Sequence, residues 1–325
     1  MSTALVRQRT ETMAGYLDEA GRERRLEDLS SQLGAEVVVV GHSHQGRPIR
    51  AAVVPQTSST STSGPTVWVN GNLHGVEWIG GLCALGILEA LGEPRGRALR
   101  ERATFVVTPC LNPDGFSATA QSGGAGSLKA LRTNARGVDL NRNFPRPDRP
   151  EVEAWAPSSL SLAVSGSSDP RRATWRGPHP FSEPEARAVD GLLRRYRPHA
   201  VVSFHSFMGT LIPPKVTTWR DARTYRRLAR AFRRGQLHHR YPTLMGAPLD
   251  VFTGELEDHA HHVHGAWALT VEVFPVWRSI REHVVAPSLF ARFNPREPQP
   301  VVDDAVFGTL AFLLAALAEP RVDSR

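Results

Sequence analysis

The chain has 325 residues, of which 41% are hydrophobic and 7% aromatic, as in an ordinary globular protein with a large core. The net charge of +7 comes mostly from scattered arginines, without the basic stripe and interleaved aromatic residues of nucleic-acid-binding proteins, so we expect no nucleic-acid partner. Two cysteines, Cys83 and Cys110, exclude a disulfide framework and are expected to be small buried residues. No signal core or membrane-spanning run is visible, so the expected location is cytoplasmic, without a membrane partner.

Helical and strand patterns follow one another along the chain without repeats or an internal linker, which predicts a single domain over residues 1–325. A charged helix is predicted at 12–33, and the core of the domain at 36–320. Short β-branched and aromatic runs predict strands at 36–40, 49–54, 66–70, 103–108, 200–204 and 267–274. Helical spacing predicts helices at 78–91, 182–195, 221–235 and 303–318.

Several connections have their own local signals. Asn112-Pro-Asp-Gly115 is typical of a turn, and Ser182 with Glu185 predicts a capping box at the start of a helix. His42 and His44 lie in a Gly- and Pro-punctuated hairpin connection and are expected to be exposed. The Ser/Thr tract at 57–64 and the Pro-, Ser- and Arg-rich stretch at 145–180 are interpreted as irregular loops.

A metal site is indicated by side chains that follow two predicted strands. His74 and Glu77 lie in the turn between the strand at 66–70 and the next helix, and His205 follows the strand at 200–204. Open α/β sheets place their ligands at the carboxyl ends of strands. Two histidines and one glutamate are ligands that zinc accepts, and they leave one coordination position for water, as in catalytic zinc sites.

Two further features suit chemistry near a metal. Glu272 interrupts an apolar strand, where a carboxylate is costly unless it is paired or functional, and it could act as a general base. An edge-strand charge or a buried ion pair is the other interpretation. The segment 131–144 is dense in Arg and Asn without a sustained period, which is typical either of a surface loop or of a loop that recognises carboxylates and oxyanions.

Taken in order, the motifs resemble the zinc metallocarboxypeptidases of the carboxypeptidase A type, and the resemblance runs from about Gly41 to Phe274. The motifs are Gly71-Asn-Leu-His-Gly-Val-Glu-Trp78, Asn112-Pro-Asp-Gly115, Arg132-Thr-Asn134, Gly137-Val-Asp-Leu-Asn-Arg-Asn-Phe144, Ser182-Glu-Pro-Glu185, Phe204-His-Ser206 and Leu269-Thr-Val-Glu-Val273.

The resemblance implies an α/β fold with a mixed, twisted sheet of about eight strands flanked by helices. It implies one zinc ion, Zn2+, per chain, bound by His74, Glu77 and His205. It assigns the general base to Glu272 and oxyanion stabilisation to Arg132. It also assigns binding of the substrate's terminal carboxylate to two residues, Asn141 and Arg142.

The chain departs from the family pattern at two places. Where the digestive enzymes have a mobile tyrosine, spacing back from Glu272 gives Asp250. Where family members that cleave basic residues have a pocket carboxylate, this chain has Glu257, which suggests a basic C-terminal residue unless Glu257 pairs with an arginine. The histidine-rich stretch His259–His264 is interpreted as a polar face beside the catalytic strand rather than as a metal site.

The expected function is zinc-dependent removal of a C-terminal amino acid from a peptide substrate with a free carboxylate. The family also includes murein-peptide amidases, which cleave a γ-D-glutamyl-diaminopimelate bond, and the string from Arg132 to Pro145 is similar to theirs. A non-catalytic peptide-binding protein on the same fold is the alternative from another class. The sequence does not determine the oligomeric state.

Overall fold

The structure is a computed structural model and describes residues 13–57, 64–145, 166–216, 218–244, 254–276 and 280–322. The helices are α1 (Glu19–Leu33), α2 (Trp78–Gly92), α3 (Pro94–Arg100), α4 (Pro113–Gln121), α5 (Leu128–Arg132), α6 (Pro184–Tyr196), α7 (Trp219–Gly235), α8 (Leu256–His262), α9 (Ile280–Val284), α10 (Leu289–Phe293) and α11 (Gln299–Ala316), with a 3₁₀ turn at Leu140–Arg142. The strands are β1 (Glu36–His42), β2 (Pro48–Val54), β3 (Thr66–Gly71), β4 (Thr104–Thr108), β5 (Ala200–Ser206), β6 (Thr210–Ile212) and β7 (Trp267–Val273).

The strands form one mixed sheet in the order β1-β2-β4-β3-β5-β7-β6. The four inner strands β4, β3, β5 and β7 are parallel, and antiparallel strands flank them on both edges. The mixed α/β fold expected from the resemblance is confirmed. The described residues contain seven strands rather than about eight, and the sequence pattern did not predict the three-residue strand β6.

Helices cover both faces of the sheet because the inner strands are apolar on both sides. The larger core lies between one face and helices α1, α2, α7 and α11. The smaller core lies against the other face, under α6 and α8. Alternation along the strands directs Ser203, His205, Thr270 and Glu272 toward the same face as α8.

Three local predictions are wrong, and each has a physical reason. Helix α1 begins at Glu19 rather than at residue 12, because the side chain of Asp18 caps it. The predicted turn after Asn112 is the start of α4, since the Asn112 side chain accepts a hydrogen bond from the Gly115 amide. Ser182 does not cap α6, because its hydroxyl donates to Glu183 instead.

Helix α11 is long and apolar enough to cross a membrane by length and composition alone, which the sequence interpretation did not anticipate. It packs against α2 and α7 in the larger core, and 61% of its apolar window is buried. Burial of this kind is typical of a core helix. Cys83 and Cys110 are free and buried, as expected.

Candidate active site

The loop between β3 and α2 positions His74 and Glu77. Asn72 adopts a left-handed conformation with φ of 54°, and its side-chain amide donates to the His74 carbonyl at 2.7 Å. Gly75 lets the loop touch the start of α4, because a Cβ there would lie 2.5 Å from the backbone of Gly115. The loop is therefore held against the start of α4 and is buried.

The three predicted metal ligands come together and are buried. The Nδ1 atom of His74 lies 2.8 Å from Oε1 of Glu77, and the Nδ1 atom of His205 lies 3.0 Å from Oε2. The two Nδ1 atoms are 3.2 Å apart. Donor atoms that share a tetrahedral zinc at about 2.0–2.1 Å are separated by about 3.3 Å, so these atoms have the separations of ligands to one ion.

The opposite edges of the two imidazole rings are fixed by residues that the sequence interpretation missed. Nε2 of His74 donates to Oδ1 of Asp139 at 3.1 Å. Nε2 of His205 donates to the Ser203 hydroxyl at 3.2 Å, and that hydroxyl donates to Asn70 at 2.7 Å. This network assigns the proton of each ring to Nε2 and leaves the Nδ1 lone pairs facing one another.

The charge state of the site also fits a cation. Burial alone would raise the pKa of Glu77, but positive charge on the adjacent His74 and His205 rings outweighs it and lowers the pKa to about 2. A metal ion held by the same three side chains would supply that positive charge while both rings stay neutral. Two lone pairs and an ionised carboxylate converging at these distances repel one another unless a cation lies between them. The donor set, with its partners on the outer ring nitrogens, therefore fits zinc.

Glu272 lies beside this centre through the register of the sheet. It is the parallel partner of His205 on the neighbouring strand, and adjacent strands are about 4.8 Å apart. Its Oε2 atom is buried without a hydrogen-bond partner among the described residues. Burial, reinforced by the Glu77 carboxylate, raises the pKa of Glu272 to about 8. These are properties of a proton-accepting group.

Arg132 also reaches the centre. Its Nε donates to Oδ2 of Asp139 at 2.9 Å, and its Nη1 lies 3.9 Å from Oε1 of Glu77. Asp139 thus binds His74 with one oxygen and Arg132 with the other. The side chain of Arg132 keeps 16% of its surface exposed, so the guanidinium borders the space in front of the metal ligands.

Asn141 and Arg142 lie in the 3₁₀ turn and are both buried. The Oδ1 atom of Asn141 accepts from the Leu256 amide at 2.9 Å, which ties the turn to the start of α8. Nη1 of Arg142 binds Oε1 of Glu255 at 3.0 Å. The guanidinium of Arg142 therefore already binds a carboxylate of the chain itself.

Glu257 lies in the first turn of α8 and is only 3% exposed. Burial, reinforced by Glu255, raises its pKa to about 8. Its side chain faces the hydroxyl of Thr270 on β7, and both groups are buried. The structure shows no ion pair between Glu257 and an arginine among the described residues.

The histidines outside this centre differ in exposure and in hydrogen-bond partner. His42 and His44 are exposed, as expected. In the histidine-rich stretch, His261 bonds to Tyr225 and His262 to the Lys215 carbonyl, whereas His259 and His264 converge on Asp190. Asp250, considered in place of the mobile tyrosine, lies outside the described residues, as do residues 58–63 and 146–165 of the predicted loops.

Comparison with known proteins gives a family and a fold. The profile of the zinc carboxypeptidase family matches residues 25–277. Human carboxypeptidase A6 is 30% identical over 185 residues, which are 54% of this chain and 39% of that protein. Murein peptide amidase A of Escherichia coli strain K12 is 36% identical over 110 residues, which are 34% of this chain and 38% of that protein.

Among solved structures, the carboxypeptidase A of Helicoverpa armigera has a TM-score of 0.73 and 21% identity, covering 97% of this chain and 81% of that one. This likeness concerns the fold. The chain spans about two fifths of the length of the two curated relatives named above. Because the family profile covers most of the chain, including all three metal ligands, the chain belongs to the zinc carboxypeptidase family.

Proposed function

We propose that the chain is a zinc-dependent hydrolase that removes one C-terminal residue from a peptide or peptide-like substrate. The observation that carries the proposal is the meeting of three buried ligands with Glu272 and Arg132 at the carboxyl ends of β3, β5 and β7. A zinc ion bound by His74, Glu77 and His205 would lower the pKa of its water and polarise the scissile carbonyl.

The chain's own residues would move the proton and bind the charges. Glu272 accepts the proton of the attacking water and returns it to the leaving amine, for which its raised pKa is suited. Arg132 directs its guanidinium toward the oxyanion that forms on the carbonyl oxygen, and Asp139 keeps it in place.

Asn141 and Arg142 would bind the terminal carboxylate of the substrate. Arg142 already binds a carboxylate, that of Glu255, so its guanidinium has the orientation that such a ligand requires. A substrate carboxylate would replace Glu255 there. A substrate without that group would form no ion pair with Arg142 and would be disfavoured.

The acidic side chains next to Arg142 favour a substrate whose terminal residue has an amino group in its side chain. Glu257 is buried beside the Thr270 hydroxyl, and Glu255 adds a second carboxylate. An ammonium group would supply donors to these atoms and would favour the charged form of Glu257. Arginine, lysine and diaminopimelate all carry a cationic group.

The murein-peptide amidase reaction is the second candidate, and the 36% identity over 110 residues to the E. coli amidase supports it. Diaminopimelate presents both a carboxylate for Arg142 and an amine for Glu257. The two candidates share the chemistry at the metal and differ in the acyl side of the bond. A non-catalytic binding protein would keep the metal and the peptide but release no product.

The test is hydrolysis of peptides that end in Phe, Leu, Arg, Lys or diaminopimelate, including a γ-D-glutamyl-diaminopimelate tripeptide. We expect release of a single terminal residue, with a preference for the amine-bearing ones. Glu272→Gln should lower kcat by at least about 100-fold with the metal retained, and Glu257→Gln should remove the side-chain preference. Metal binding without turnover on the whole panel would contradict the proposed hydrolase and favour a binding role.

A further inference from the structure

A second group of metal-ligand side chains lies between helices α6 and α8. Asp190 comes from α6, His259 from α8, and His264 from the connection between α8 and β7. None of these residues contacts His74, Glu77 or His205 in the described hydrogen bonds. The group joins parts of the chain that are about 70 residues apart in sequence.

The donor atoms of this group have the same spacing as those of the catalytic centre. Nε2 of His259 lies 2.9 Å and Nε2 of His264 lies 3.1 Å from the same oxygen, Oδ1 of Asp190. The two Nε2 atoms are 3.2 Å apart. Ligands of a tetrahedral zinc are separated by about 3.3 Å, so the three atoms form a triangle of the size that one ion requires.

The side chains are oriented for this role by their neighbours. The ring of His259 stacks on Phe144, with ring centres 5.5 Å apart and planes inclined by 23°. Arg194 donates to Oδ2 of Asp190 at 2.6 Å, which fixes the carboxylate and leaves Oδ1 toward the histidines. His259 is buried, so its ring lies in the interior with Nε2 turned toward Asp190 and His264.

We propose that Asp190, His259 and His264 bind a second divalent transition metal, zinc by ligand type, with a water in the fourth position. Two nitrogens and one carboxylate oxygen suit zinc better than magnesium or calcium, which prefer oxygen alone. The side chain of Asp190 is 14% exposed and that of His264 9%, so water reaches the site.

The position of this site suggests a structural role next to the substrate pocket. Helix α8 carries Glu257 two residues before His259, and the Asn141 side chain binds the first residue of that helix. A metal at the second site would attach α8 to α6, and the Phe144 contact would connect it to the turn that carries Arg142. It would thereby hold the pocket wall in place.

The alternative is a hydrogen-bonded cluster in which the two rings share the Asp190 carboxylate without an ion. Metal stoichiometry separates the two. Protein stripped with a chelator is reloaded with Zn2+ or Co2+, and bound metal is counted after gel filtration for wild type, His264→Gln and His262→Gln. His262 lies in the same stretch but binds a backbone carbonyl, which makes it the matched control. Exposed histidines such as His42 are present in every variant, so any metal that they bind contributes equally to all three stoichiometries.

We expect His264→Gln to bind one equivalent less than both wild type and His262→Gln. Because the Arg194 charge offsets that of Asp190, we expect the second equivalent to bind more weakly than the first, giving two steps in a Co2+ absorption titration. Saturating the second step should raise the Tm of wild type by a few degrees and leave that of His264→Gln unchanged.

Equal stoichiometry in wild type and His264→Gln, or a single Co2+ step in wild type, would overturn the proposal. Asp190→Asn keeps the size of the side chain and serves if His264→Gln does not fold. These readouts count metal rather than product, so they remain interpretable if the chain proves not to be a hydrolase.

Discussion

At the scale of single residues, Asp139 connects the parts of the centre. It orients His74 through one carboxylate oxygen and Arg132 through the other, and it is fully buried. The Arg132 and His74 charges outweigh the effect of burial and keep its pKa well below the usual value. One carboxylate therefore positions a metal ligand and the group that would face the oxyanion.

Asp139→Asn should weaken zinc binding at the catalytic centre by about 10–100-fold, because the amide is a poorer acceptor for the His74 ring and carries no charge. It should also lower kcat, since Arg132 loses its anchor. Affinity is measured by competition with a chromophoric chelator. Asp169→Asn is the control, because the Asp169 carboxylate binds Arg171 at the surface and no other side chain among the described residues. Equal affinities for the two variants would contradict the role given to Asp139.

Glu257 makes the stability of the metal-free protein depend on pH. Its pKa rises from an ordinary value of 4.5 to about 8 in the folded chain, which therefore keeps a proton that the unfolded chain has released. Stability should fall as pH rises through this window. From pH 6.5 to pH 8 the loss is about 2 kcal/mol for this group.

Glu257→Gln should reduce this dependence, leaving the part that comes from Glu272, and should make the variant the more stable protein at pH 8. The measurement is chemical unfolding of metal-free wild type and Glu257→Gln at several pH values. Parallel curves for the two proteins between pH 6.5 and 8 would show that Glu257 is not held protonated in the fold.

At the scale of elements, the metal loop depends on a close approach of two backbones. Gly75 and Gly115 touch without side chains, and this contact brings the turn after β3 against the first residues of α4. The loop carries two of the three metal ligands, so its position sets the metal geometry.

Gly75→Ala should displace His74, because the new Cβ would lie 2.5 Å from the backbone of Gly115. We expect a loss of about 1–3 kcal/mol in the free energy of unfolding together with weaker zinc binding. Gly92→Ala, at the end of α2, is the control, since its nearest neighbour is a side-chain methyl of Leu33 at 3.5 Å. Unchanged zinc affinity in Gly75→Ala would show that the loop tolerates the shift.

At the scale of the whole molecule, the metal should contribute to stability because its ligands come from distant parts of the sheet. His74 and His205 are 131 residues apart in sequence and follow different strands. Removing zinc with a chelator should lower the Tm by several degrees, since a ligand at 100 times its Kd adds about 2.7 kcal/mol. Calorimetry with and without added zinc measures this. An unchanged Tm would mean that the ligands do not bind zinc.

The parts of the fold with strong local patterns were predictable. Apolar strands and the helix at 78–91 lie within one or two residues of the predicted positions, and Glu272 stood out because it interrupts an apolar strand. Strand β6 has three residues and helix α8 seven, which are too short for a periodic signal. The capping by Asp18 and Asn112 changed element boundaries that periodicity alone placed elsewhere.

The three candidate metal ligands could be predicted because their residue types and their positions after strands agree with zinc chemistry. Asp139 and Ser203 were not, since an aspartate in an irregular segment and a serine in a strand have no distinctive spacing. The group of Asp190, His259 and His264 was missed for a different reason. Its members meet only through tertiary packing of α6 against α8, which the local sequence does not encode.

His205 and Glu272 are paired across β5 and β7, so their spacing does not depend on the helix that carries Glu257. The spacing between ligand and base belongs to the hydrogen-bonded ladder, whereas Glu257 stands on a short helix outside it. If the proposed function holds, exchange of that helix should change which residue is released while the distance between His205 and Glu272 stays constant. A library of variants in α8 would therefore change the residues around the substrate side chain and leave His205 and Glu272 unchanged.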